Sequence, residues 1–239
     1  MRYVDRVFPT PEEELACDEV LLDVCEEEPE GEVLRVWQPQ RRYVVLGYMN
    51  AAAREVNLPA CAAEGVPVYR RTTGGGTIVQ MQGCLNYALV LRLEGSAALE
   101  GIGSTNSFIL ERIAEALSPL AGTQVVPRGH TDLCVGNRKV AGNAQRRKSR
   151  ALLFHGTLLL HADIQGIDRL LPFPSTQPDY RKNRSHGEFL TNLEVEPPAI
   201  TAALKVAWQA SEPYDPDIEK RVANLAQEKY ARQGWTFRR

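Results

Sequence analysis

Apolar positions change period several times along this chain, and each change marks an element. Thr10-Pro11-Glu12-Glu13 opens a helix, with a Thr cap, proline in the first turn and an acid three residues past the cap. Ala16, Val20, Leu21 and Val24 follow at helical spacing. The period then drops to that of strands. Val33–Trp37 and Tyr43–Leu46 are β-rich runs separated by the turn Gln38-Pro39-Gln40-Arg41. Residues 58–64 read as a short helix stopped by Gly65, and residues 66–70 as another strand. Ile78-Val79 and residues 85–93 continue the strand pattern, and Phe108, Ile109, Ile113 and Leu117 place a helix after the Gly101-Ile102-Gly103 turn. Asp132–Val135, 138–144 and 151–160 read as three further strands, the first two joined by a Gly136-Asn137 hairpin turn. Helices close the chain at 199–210, after Pro197-Pro198, and at 217–233. Strands in adjacent runs, with helices before, between and after them, predict an α+β fold. Its core is a mixed or antiparallel sheet flanked by helices. Residues 172–192 form a long polar stretch without periodicity, the kind of loop that is often functional.

Composition narrows the function classes. The chain has 239 residues, enough for one large domain or two small ones, and is 44% hydrophobic and 24% charged, as globular proteins are. A net charge of −2 gives no basic field for nucleic acid. No apolar run approaches the roughly 18 residues of a membrane span, and the N-terminus lacks the apolar core of a signal peptide. A cytoplasmic protein without a membrane partner is expected. The five cysteines are odd in number and form no C-x-x-C pair, which argues against a disulfide framework or a cysteine zinc site. Cys17, Cys25 and Cys61 read as small buried hydrophobes, whereas Cys84 and Cys134 fall beside the segments that carry chemistry.

Three such segments stand out. In Arg70-Arg71-Thr72-Thr73-Gly74-Gly75-Gly76-Thr77, consecutive glycines let backbone N–H groups converge on an anion, and two arginines can hold a phosphate or carboxylate. The ordinary alternative is a tight turn with surface arginines. The segment matches neither G-x-G-x-x-G nor the Walker loop. In Gly136-Asn137-Arg138-Lys139-Val140-Ala141-Gly142-Asn143-Ala144, a lysine amid small residues can turn its charge toward a bound anion; alternatively it is an outward strand lysine. In Phe154-His155-Gly156-Thr157, glycine inside an apolar strand signals close approach by a ligand or another strand. A lone histidine there is also compatible with a hydrogen-bonded core residue.

Together, in this order and spacing, the segments resemble the lipoate–protein ligase A branch of the biotin/lipoate ligase and octanoyltransferase superfamily. The resemblance rests on the Arg-Arg-x-Thr-Gly-Gly-Gly loop, on Thr131-Asp132 followed by Lys139-x-x-Gly142-x-Ala144, and on His155-Gly156-Thr157. Asp18-Glu19 and the closing Lys229-Tyr230 and Trp235 resemble the family's edges, so the likeness spans nearly the whole chain. It implies one class II biotin/lipoate-ligase-like catalytic domain over residues 1–239, without a C-terminal accessory domain. It further implies activation of lipoate with ATP and Mg²⁺ as an acyl-adenylate, followed by transfer to one lysine of a lipoyl domain or glycine-cleavage H-like acceptor protein. Either a separate accessory chain would then assist adenylation, or the domain makes the adenylate alone, or it only performs transfer. By that resemblance Lys139 is the catalytic cation. Arg71, Thr73, Gly74, Gly75, Gly76, Thr77, Asn86, Asp132, Gly142, Asn143, Ala144, His155, Gly156 and Thr157 bind substrate or adenylate, and Asp132 holds Mg²⁺. An apolar tunnel for the acyl tail is expected along residues 34–46.

The sequence also departs from the pattern. Gln80 and Met81 stand where many members have His-Asp, Cys84 where an Asn is expected, and Thr131 where the Asn of an Asn-Asp pair is expected. Related octanoyl- and lipoyltransferases use a cysteine nucleophile and no ATP. Cys84 or Cys134 would serve that alternative if Lys139 or His155 lowered its pKa. A non-catalytic lipoyl-domain binder is the third reading. Residues 177–186 and 146–150 are basic: they are candidates to close over the adenylate or meet an acidic acceptor, or they are ordinary solvated loops.

Overall fold

The Thr10 hydroxyl accepts from the Glu13 amide and caps helix α1 (Pro11–Glu27), as its sequence predicts. The computed structural model describes residues 1–28 and 30–239. Its strands are β1 (Arg2–Val4), β2 (Val33–Trp37), β3 (Tyr43–Leu46), β4 (Val68–Arg70), β5 (Ile78–Gln80), β6 (Cys84–Arg92), β7 (Val125–Arg128), β8 (Asp132–Val135), β9 (Arg138–Arg147), β10 (Ala151–Leu159) and β11 (Glu212–Pro213). The other helices are α2 (Ala52–Glu55), α3 (Leu58–Ala63), α4 (Ile102–Ala121), α5 (Ile164–Leu170), α6 (His186–Phe189), α7 (Pro197–Ala207), α8 (Glu219–Leu225) and α9 (Gln233–Thr236).

Eight strands form one mixed sheet in the order β11-β1-β2-β6-β10-β9-β8-β7, and β4-β3-β5 form a smaller one. β1 runs parallel to both its neighbours, and the other pairs of the large sheet are antiparallel. Apolar side chains cover both faces of the large sheet. One core joins Leu34, Tyr87, Leu89 and Phe154 to Ile109, Ile113 and Leu117 of α4 and Ile200 and Leu204 of α7. The other joins Ala88, Val90 and Leu153 to Val20, Leu21 and Val24 of α1 and Val222 of α8. A third core binds the small sheet to Ile167 and Leu170 of α5 and Phe189 of α6. The expected α+β class, with helices flanking a mixed sheet, is what the chain adopts. Among the described residues, no helix is long and apolar enough to cross a membrane.

The differences from the sequence reading have local causes. The expected helix 217–233 breaks into α8, a π-turn at Ala226–Tyr230 and α9. The irregular turn brings Lys229 and Tyr230 together onto Glu19. The polar stretch 172–192 is not free loop. Arg181 is buried within it, with its guanidinium over the rings of Phe173 and Phe189, and Arg184 donates to the Tyr180, Arg181 and Asn137 carbonyls. The basic tip 146–150 is likewise largely occupied: Arg147 binds Thr105 and the Leu99 carbonyl, and Lys148 pairs with Asp23.

Candidate functional site

Strand register gathers the motif residues into rows across the large sheet. One row runs Trp37, Asn86, Thr157, Gly142, Asp132 from β2 to β8. Two residues along each strand, on the same face, lies the row Arg35, Ala88, His155, Ala144. The row between them, Val36, Tyr87, Gly156, Asn143, faces the other way. Here Gly156 has a steric reason: a Cβ would overlap the Asn143 amide oxygen and stand 2.7 Å from the Tyr87 hydroxyl. That hydroxyl donates to Asn143, and the Asn143 amide in turn donates to the Thr131 carbonyl at 2.7 Å.

Lys139 enters the first row from a register shift between β8 and β9. Its Nζ lies 2.7 Å from Asp132 Oδ1. The space it occupies exists because residue 142 is glycine, since a Cβ there would stand 2.7 Å from the Lys139 Nζ and 2.9 Å from its Cε. The obstructed atoms are the far end of a flexible chain. Gly142→Ala is therefore expected to keep its melting temperature within a few degrees while displacing the ammonium from Asp132. If Lys139 has the role that the family resemblance implies, acyl transfer measured on the same samples should drop at least about tenfold. Tyr180 OH donates to Asp132 Oδ2 at 2.7 Å, so the polar stretch closes over the site through one tyrosine.

The two arginines of the glycine loop divide their work. Arg70 spends its donors on carbonyls of Gly47, Tyr48, Asn50, Trp235 and Thr236, tying the loop to α9. It is not an anion ligand, contrary to the expectation for both arginines. Arg71 is buried and donates to Thr73 Oγ1 and to the Gly74 and Gly76 carbonyls. Among the described residues no carboxylate pairs with it and its buried Nη1 has no partner, and burial pushes its pKa down to about 10. Gly75 takes φ +82, a conformation that favours glycine, and its carbonyl presses on Gly47. The exposed backbone of Gly75 and Gly76 thus lies above a buried, uncompensated cation. A Cβ on Gly75 would stand 3.6 Å from that of Ala144, so the loop touches β9 two residues beyond Gly142. Thr77 is bonded to Asn50, which also accepts from the Gly47 amide.

A sequence model of the lipoyl protein ligase A/B catalytic domain matches residues 10–228. The chain belongs to that family. A protein described as lipoate-protein ligase A from Aeropyrum pernix is 33% identical over 68% of this chain, a stretch covering 58% of that relative. Octanoyltransferase LipM of Geobacillus kaustophilus is 26% identical over 100% of this chain and 98% of its own length. A bi-partite lipoate protein ligase of Thermoplasma acidophilum, solved with its E2 lipoyl domain, shares the fold at a TM-score of 0.83 and 21% identity, over 99% of this chain and 95% of that one. A lipoate-protein ligase A bound with ATP gives 0.75 at 22% identity, over 99% and 98%.

Against the lipoyl ligase A/B pattern, the departures at 80–86 are absorbed structurally. Gln80 donates to Asn86 at 2.8 Å and Thr157 at 2.9 Å, and Thr157 donates to Asn86 at 2.6 Å, a closed buried network. Met81 and Cys84 pack in the third core. All five cysteines are buried and free. Burial pushes Cys84 up to about 11 and Cys17 and Cys25 up to about 12, and raises Cys61 and Cys134 as well. The expectation that Lys139 or His155 would lower Cys84 or Cys134 is not met. Cys134 donates to Tyr180 rather than standing open. Asp132 has its oxygens engaged by Lys139 and Tyr180, and among the described residues no group of three or more His, Cys, Asp or Glu is placed to hold a metal. Residues 34–46 do not wall a tunnel: Leu34, Val36, Val44 and Leu46 are packed in the cores. A surface cavity of about 590 Å³ is lined by residues that include Gln38, Arg42, Met81, Asp163 and Glu196, and Lys139 is not among them.

Sequence reasoning missed several partners. Asp18 Oδ2 lies 2.9 Å from His155 Nδ1, and Arg35 donates to Asp18 at 3.0 Å and also pairs with Glu14. Burial alone would raise the Asp18 pKa; the His155 hydrogen bond and the Arg35 charge outweigh it and hold the carboxyl below its ordinary value. Burial raises Glu14 despite Arg35. The available signal was an arginine inside the apolar run Val33–Trp37, a residue type almost never buried unless paired.

Proposed function

We propose that this chain is a lipoate–protein ligase: it uses ATP to activate lipoate or octanoate as the acyl-adenylate and passes the acyl group to one lysine of a lipoyl domain or glycine-cleavage H-like protein. The observation that carries this reading is Arg71, a buried guanidinium with an unpartnered Nη1 and no carboxylate, beneath exposed glycine backbone. A phosphate at that loop supplies the missing counter-charge. ATP supplies the leaving group that turns a carboxylate into an acyl donor. Lys139, over Gly142 and near the loop, stabilises negative charge that grows on the acyl and phosphate oxygens as an amine attacks. Thr73, Gly74 and Thr77 shape the phosphate side, and Asn86, Asn143 and Thr157 hold the sheet side. Residues 1–239 act as the catalytic unit, with an accessory chain for adenylation on the precedent of the bi-partite Thermoplasma ligase.

Cysteine-dependent octanoyl transfer remains the second reading, favoured by the end-to-end match to LipM. The state of the five thiols weighs against it, because a raised pKa leaves little nucleophilic thiolate. One mass measurement separates the two. An apo lipoyl domain is incubated with this chain, lipoate, ATP and Mg²⁺, and in parallel with octanoyl-carrier protein without ATP. Ligation predicts one lipoyl amide only in the first tube, or on addition of synthetic lipoyl-AMP where adenylation needs the accessory chain. Octanoylation in the second tube that is lost in a cysteine variant would establish the transferase instead.

A further inference from the structure

A hydrogen-bonded chain runs from the glycine loop into the core. Arg71 Nε donates to Thr73 Oγ1 at 2.9 Å, Thr73 Oγ1 lies 2.7 Å from His155 Nε2, and His155 Nδ1 lies 2.9 Å from Asp18 Oδ2. Counting donors fixes its direction. A carboxylate only accepts, so Nδ1 carries the proton. With the ring neutral, Nε2 accepts a hydrogen bond from the Thr73 hydroxyl, while Thr73 accepts from Arg71. Asp18 is anchored in turn by Arg35, which is fully buried and reaches it because Ala88 separates Arg35 from His155 in the same sheet row. The His155 side chain is 15% exposed, so the ring reaches the surface beside the loop. The arrangement of base, orienting carboxylate and hydroxyl is that of a proton acceptor held in one tautomer.

We infer that Asp18 is a positioning residue that holds His155 with its Nε2 lone pair toward the glycine loop, where His155 is the general base for the attacking acceptor lysine. The inference rests on the acyl-adenylate reading above. A neutral lysine amine forms the C–N bond to the acyl carbon. His155 Nε2 takes a proton from that nitrogen, directly or through the Thr73 hydroxyl. The C–O bond to AMP breaks and AMP departs with the electron pair. Imidazolium then returns its proton to solvent. The charged groups around the ring are Asp18 and Glu14 from α1, Arg35 from β2 and Arg71 from the loop. Beyond them, Glu19, bonded to Lys229, Tyr230 and Arg146, stands beside Thr72.

The test uses the full chain, synthetic lipoyl-AMP and an apo lipoyl domain. The chain has four histidines, so nitrogen NMR on ¹⁵N-histidine-labelled protein resolves His155. The Nδ1–H tautomer is expected at neutral pH; the Nε2–H tautomer in the unmodified protein would overturn the inference without any variant. In Asp18→Asn, Arg35 donates to the amide oxygen and leaves the amide nitrogen facing Nδ1, which reverses the tautomer. Transfer kcat should fall about 100-fold or more, with little change in KM for lipoyl-AMP. An unchanged kcat in Asp18→Asn would sink the inference. No transfer by the unmodified chain would overturn the acyl-adenylate reading too, and the two failures are told apart by that control rate.

Discussion

Lys139→Ala is expected to slow acyl transfer from synthetic lipoyl-AMP by about 10²–10³-fold, the cost of removing one preorganised charge from a developing oxyanion. The fold should survive, because Lys139 is 24% exposed at its side chain and contributes no core packing. Asp132 keeps the Tyr180 hydroxyl as a partner. The loss should fall on kcat, since the growing negative charge is a property of the transition state. Single-turnover mass measurements, with a thermal melt on the same sample, check both halves. Unchanged acylation would remove Lys139 from the chemistry, and no acylation above background by the unmodified chain would favour the non-catalytic lipoyl-domain binder.

Arg35→Leu is expected to give the largest loss of stability, about 3–5 kcal/mol, because it strips the cation from two buried carboxylates. Urea unfolding at neutral pH measures it. The pH dependence carries a sign. In the unmodified protein the Asp18 pKa is depressed in the fold, so its stabilisation is present above the unfolded carboxyl pKa and is lost as pH falls through the folded value. Glu14, raised by burial, works the other way: its contribution is full below the unfolded pKa and lost as pH rises through the folded value. Without Arg35, burial should raise both carboxyls. The variant should then regain stability on acidification from neutral pH toward about pH 5, with the gap to the unmodified protein narrowing. A gap that stays constant or widens would show that Arg35 does not hold these carboxylates ionised.

The main helices and strands were legible because each shows its period locally. The capped start of α1, the β-rich run Val33–Trp37 and the Gly136-Asn137 hairpin depend on neighbours within a few residues. The short elements α5, α6 and β1 were not, because their stability comes from what they pack against. The three chemical segments were also legible, as glycines and charges in places that packing alone does not favour. Their roles were not equally legible. Arg70 and Arg71 are adjacent and chemically identical, yet one is consumed by carbonyls at 47–50 and 235–236 and the other is left with an unpaired nitrogen. Nothing within the segment distinguishes them. The same holds for Cys84 and Cys134, whose position beside the motifs drew attention but whose burial decides their chemistry.

By itself the sequence determined the class of fold, the family resemblance and the segments that meet at the site, since these are set by local period, turn chemistry and motif order. Only the tertiary structure decided which side chains are partners. Asp18, Arg35 and His155 lie on three elements far apart in the chain and meet because sheet register puts Arg35 and His155 in one row and α1 packs across it. A charge in a low-dielectric core must find an opposite charge or a donor, and where that partner lies is a property of the fold, not of the residues beside it.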